Sequence, residues 1–210
     1  MSRNYRRSAR LAAVALLAAG ALLMGGAECD PFLDGDFEPT GTPFSLNSNL
    51  ELTSITGGPQ PVPTGTYTID MTCRATGGAP ANQAFPAGLL FSSTKNRVQH
   101  VVVLKSQSAN FDVAGSRRSV GVFCCNRFRR TPDQLDTFDL GPVTDNGQLQ
   151  EIAALVGAKD ISGNANLWLV QRAVWMVTDS TGLTQAYRDS LAALPAAMPR
   201  GPGREWIARQ

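Results

Sequence analysis

The sequence predicts an α+β fold: a β-sandwich or barrel of about six to seven short strands, followed by a three-helix segment packed on it. Three observations predict it. Short apolar stretches with period-2 alternation recur through the first two-thirds of the chain, divided by Gly, Pro and Asn turns. Beyond Leu140-Gly141-Pro142 the apolar spacing changes to that of helices. Roughly 183 residues follow an N-terminal leader, enough for one core of ordinary size.

The leader comes first. Arg3, Arg6, Arg7 and Arg10 precede the apolar run Leu11–Met24, and Gly25-Gly26-Ala27 supplies small residues for cleavage. Residues 1–27 therefore read as a signal peptide. The run is short for a membrane span, so the mature chain is expected to have no transmembrane helix. Cys29 lies just after it. A lipid anchor there is weighed against simple secretion, because Glu28 does not suit a lipoprotein cleavage position. The expected localisation is secreted or cell surface, with or without that anchor.

Export alters the charge balance. The whole chain carries 19 basic and 17 acidic residues. Loss of the four leader arginines leaves 15 against 17, a net charge of −2. Nothing in that balance favours a nucleic acid or an anionic membrane as partner.

Residues 28–42 read as a linker rich in Asp, Gly and Pro. Asp34-Gly35-Asp36 lacks the remaining ligands of a calcium loop, so it reads as a turn. Residues 43–195 are expected to form a single domain. Phe44–Ile55 alternates imperfectly. Thr66–Arg74 alternates cleanly, with Tyr67, Ile69, Met71 and Cys73 on one face. Gly77–Ala84 reads as a loop. Phe85–Phe91, Arg97–Lys105, Phe111–Val113 and Arg118–Cys125 read as strands. Three helices follow: one capped by Asp145 or Asn146 and ending at Gly157, one over Asn164–Thr178, and one over Thr184–Leu194. Residues 196–210, rich in Pro and Gly, read as a flexible tail.

Two stretches carry the candidate chemistry. Phe123-Cys124-Cys125-Asn126 ends a strand, so the two neighbouring cysteines are expected to face apart. In the second stretch Leu167, Gln171, Val174 and Thr178 share one face of a helix, which sets Gln171 among apolar neighbours. A buried carboxamide must be hydrogen-bonded. It either bridges backbone groups inside the core or serves as an electrophile for a cysteine. The lone histidine, His100, reads as structural. With no second His, neither a metal site nor a catalytic triad is expected.

Phe123-Cys124-Cys125-Asn126 resembles the aromatic-Cys-aromatic-Asn signature of bacterial surface thioester domains. Val170-Gln171-Arg172-Ala173-Val174-Trp175 is similar to their Thr-Gln-x-Ala-apolar-Trp signature, and Thr178-Asp179-Ser180 also fits. The likeness spans mainly Val120–Leu183. Cys125 stands where the family has an aromatic or apolar residue, and Val170 where it has Thr. The pair lies 47 residues apart, a short interval for the family. The resemblance implies an adhesin in which Cys124 and Gln171 form an internal thioester that a target amine opens. Phe123 and Trp175 would shield the bond from water.

The resemblance also suggests an allocation of the four cysteines. Cys124 would bond Gln171, Cys125 would pair with Cys73 in a disulfide, and Cys29 would take the lipid. The competing allocation joins Cys73 to Cys124 or Cys125, with Cys29 closing another bridge. The expected function is thus a binding module without turnover or cofactor, whose partner is a protein or other amine-bearing surface. The alternatives are a non-covalent, disulfide-stabilised envelope protein and, less favoured by the residues, a cysteine-dependent amidase.

Overall fold

Strand Tyr67–Ala75 (β3), paired on both sides and buried on both faces over Thr68–Met71, sets the frame of the protein. The structure, a computed structural model, describes residues 37–58, 61–179 and 182–198. The expected signal peptide, Cys29, most of the linker and most of the tail lie outside the described residues.

Seven strands form one antiparallel sheet: β1 (Gly41–Thr42), β2 (Leu50–Gly58), β3, β5 (Leu89–Ser93), β6 (Val101–Val102), β8 (Ser116–Cys124) and β9 (Phe138–Thr144). Their order is β1-β9-β5-β6-β8-β3-β2. Two further strands, β4 (Ala81–Phe85) and β7 (Gln107–Phe111), pair as a small second sheet. The large sheet curls. Thr56 of β2 meets Thr137 just before β9, and the Gly57 amide donates to the Asp136 carbonyl at 3.0 Å. The described residues thus form an α+β fold with the character of a sandwich or half-barrel.

Two cores follow from this curl. Inside it lie Ile69, Met71, Cys73, Phe91, Val101, Val120, Val122 and Cys124, with Phe85 and Phe111 from the small sheet. On the outer face, Leu90, Val102, Phe123 and Cys125 meet three helices. These are α1 (Gly147–Gly157), α2 (Asn164–Thr178) and α3 (Gln185–Ala192). Asn146 caps α1, its side chain accepting from the amides of Gln148 and Leu149. Helix α1 buries Leu149, Ile152, Ala153 and Val156.

Some expectations shift. Ala81–Ala84, expected in a loop, form with Phe85 a strand whose residues alternate buried and exposed against β7. Leu140-Gly141-Pro142, expected as a boundary, lies within β9. The β5–β9 register shifts between Leu89 and Phe91 there, so Pro142 sits at an irregularity of the ladder, where a missing N–H is tolerated. The expected strand Arg97–Lys105 contracts to Val101–Val102.

The disulfide expectation is overturned. Cys73, Cys124 and Cys125 are free, buried thiols. Cys73 pairs in register with Ser116, at the far end of β8 from Cys124. Eight residues of strand span about 26 Å, far beyond the reach of a bridge. Cys124 and Cys125 face opposite cores, as strand alternation requires.

Candidate functional site

Strand β8 leaves backbone groups open where its neighbours stop. The β3 ladder ends at Tyr67↔Val122, so the next outward-pointing groups on that margin belong to Cys124. Helix α2 fills the gap. Its buried face comprises Leu167, Val170, Gln171, Ala173, Val174 and Thr178. Gln171, fully buried, extends its carboxamide to Cys124. The Cys124 amide donates to Gln171 Oε1 at 2.9 Å, and Gln171 Nε2 donates to the Cys124 carbonyl at 2.6 Å. The backbone fixes the orientation of the amide, because an N–H requires the oxygen and a carbonyl requires the nitrogen. The structure thus brings the two predicted residues together.

A third group, Thr66, completes the arrangement. Its hydroxyl donates to Gln171 Oε1 at 2.6 Å and is itself buried. Its place is set by a tight crossing of the preceding segment over β8. Val62 and Gly65 exchange backbone hydrogen bonds of 2.9 and 3.0 Å. A Cβ on Gly65 would lie 2.2 Å from the Val122 amide nitrogen, so only glycine permits this approach. Sequence reasoning placed Thr66 at the start of a strand and gave it no role. It lies 105 residues from Gln171. The available signal was a threonine on the polar side of an alternating strand that becomes buried.

The same device occurs a second time. Strand β6 pairs only with Phe123 and Cys124 of β8. At Gly121 the side chain of Gln107 takes over: the Gly121 amide donates to Gln107 Oε1 at 2.9 Å, and Gln107 Nε2 donates to the Gly121 carbonyl at 2.8 Å. Thr64 donates to the same Oε1 at 3.0 Å. Two Thr–Gln pairs therefore clasp β8. Only the one at Cys124 has a thiol on the clasped residue, and only that one is fully buried.

Helix α2 docks further at its C-terminal end. The Asn126 amide donates to Thr178 Oγ1 at 3.3 Å, and the Arg127 amide to Asp179 Oδ1 at 3.2 Å. Asn126 adopts a left-handed φ of 59°, which turns the chain sharply after the cysteines. Phe123 is buried in the outer core. Trp175 is half-buried on the flank of α2. Its Nε1 donates to Gln99 Oε1 at 3.3 Å, the Trp168 ring centroid lies 6.0 Å away, and the Arg127 guanidinium sits 5.9 Å over its ring. His100 is occupied elsewhere, accepting from the Ser93 amide at Nδ1 (3.0 Å) with Arg129 beside Nε2 (3.0 Å).

Burial dominates the electrostatics. It pushes the Cys124 thiol well above its ordinary value, with neighbouring Cys125 adding to the shift. Cys125 is raised by burial and then by the charge of Asp179. Tyr67 is raised by burial and by its proximity to Cys124. An open pocket of about 200 Å³ lies next to the clasp, lined by Pro61, Thr66, Tyr67, Asn164, Leu167 and Trp168. No protein-family model, curated protein or solved structure matches the chain.

Proposed function

We propose that the chain is an exported binding or adhesion module in which Cys124 and Gln171 condense into an internal thioester that reacts with target amines. The observation that carries this reading is the carboxamide of Gln171 clasped on the backbone of the very residue that bears the thiol. In forming the bond, Cys124 sulfur attacks Gln171 Cδ. The C–S bond forms, the C–N bond breaks, and ammonia leaves with the proton of the thiol. An amine later attacks the same carbon. The new C–N bond forms as C–S breaks, and the thiol regains a proton. Clasping the carboxamide on the backbone of the thiol-bearing residue favours the effective concentration that such a condensation needs. The module reacts once with its partner and does not turn over.

One observation favours a second reading, a non-covalent structural or binding protein. Gln107 makes an equivalent clasp on Gly121 with no thiol present, so a clasp can serve strand pairing alone. The raised thiol of Cys124 points the same way, because the thiolate is the better nucleophile.

Intact mass of the purified mature chain separates the two. The thioester reading expects a mass deficit of one ammonia, abolished in Cys124→Ser and in Gln171→Ala, and uptake of one methylamine by the wild type. Full mass and no uptake would leave the structural reading. Anchoring through Cys29 expects partition into detergent, lost in Cys29→Ser.

A further inference from the structure

We propose that Thr66 is a catalytic residue of the thioester site, supplying with the Cys124 amide a two-donor oxyanion hole at Gln171 Oε1. The inference rests on the thioester reading and adds to it the group that activates the acyl carbon. Attack on Gln171 Cδ, by sulfur or by an amine, moves an electron pair onto Oε1. That oxygen already receives two donors, Thr66 Oγ1 at 2.6 Å and the Cys124 amide at 2.9 Å. Both donors already lie within hydrogen-bond reach of the oxygen on which the negative charge develops. Both donors are buried, which strengthens them and removes competing water.

Two features fit this role. The donors are rigid: one is strand backbone, and the other follows the Val62–Gly65 crossing that only glycine allows. Thr66 also lines the open pocket beside Leu167 and Trp168, so the polarised carbonyl lies next to a space that an incoming amine can occupy. The same two donors serve both steps. As ammonia or thiolate leaves, the electron pair returns from Oε1 to re-form the carbonyl.

The equivalent pair Thr64–Gln107 provides an internal control. Thr66→Val and Thr64→Val each remove one Thr–Gln hydrogen bond from β8, but only the first touches the acyl group. The full chain is first opened with ammonia, which regenerates the Gln171 amide and the Cys124 thiol, then unfolded, refolded and followed by mass for loss of ammonia and, after that, for uptake of methylamine. Thr66→Val is expected to slow one or both steps by roughly 100-fold, the usual effect of removing one such donor. Thr66→Ser is expected to restore rates to within a few-fold, and Thr64→Val to stay near wild type. Should Thr66→Val not fold, Thr66→Ala is read in its place. Wild-type rates in the Thr66 variant, or an equal slowing in Thr64→Val, would overturn the proposal. A wild-type chain with neither ammonia loss nor amine uptake is a different result: it removes the thioester reading itself.

Discussion

Cys124 and Cys125 are adjacent in sequence yet belong to different cores, and both are held as neutral thiols by burial. Any Cys124 thiol that has not condensed, together with Cys125, should therefore resist iodoacetamide at pH 8 in the native protein and react only after denaturation. Rapid native labelling of either would contradict their burial. Cys73 is also buried, and burial raises its thiol to about 11. A folded value above the unfolded one stabilises the protein below the unfolded value and loses that contribution as pH rises. The urea midpoint should thus fall between about pH 9 and 11, and Cys73→Ala should flatten that fall. Gln171→Leu strands the Cys124 amide and carbonyl and the Thr66 hydroxyl without partners. It should cost about 3 kcal/mol in urea unfolding. Gln107→Leu, at a partly exposed site, should cost less.

The elements differ in how plainly the sequence announces them. Helices α1 and α2 follow from their periodicity, β3 from the period-2 alternation of its sequence, and β8 from its apolar, β-branched run. The face Leu167, Gln171, Val174 and Thr178 is buried as its spacing predicts. Strands β4 and β9 escape such reading for a physical reason. Asn82-Gln83 and Gly141-Pro142 carry turn chemistry, and only pairing with β7 and β5 holds them extended. The meeting of Cys124 with Gln171 came from a resemblance, not from spacing. Thr66 was invisible because the contact that defines it closes over half the chain. At this scale Gly65→Ala is a sharp test. Its Cβ would meet the Val122 backbone, so the crossing must move and Thr66 with it. A loss of about 2 kcal/mol or more in thermal unfolding is expected, with slower amine uptake. Asn146→Ala removes the cap of α1 and should cost about 1 kcal/mol.

Across the whole molecule, the curl of the sheet is fastened near Asp136. Its fully buried carboxylate accepts from Arg130 at 2.7 Å, Lys95 at 3.0 Å and the Asp133 amide at 2.8 Å, while its carbonyl receives Gly57 of β2. Burial alone would raise this acid, but the hydrogen bonds from Arg130, Asp133 and Lys95 more than offset that and lower it. A lowered folded value stabilises the protein above the unfolded value of 3.8 and is lost as pH falls below it. Asp136→Asn should cost about 2 kcal/mol at neutral pH and weaken the acid dependence of unfolding. The seam between α2 and β8 has a different significance under tension. Noncovalent contacts at Cys124, Asn126 and Arg127 would yield when the chain is pulled from its ends. A bond joining residues 124 and 171 would instead withhold the intervening segment from extension. In single-molecule stretching, chains opened by methylamine should lengthen by about 160 Å more than intact ones, the reach of 47 extended residues. An adhesive tether of this design would report, through its own contour length, whether it had already reacted.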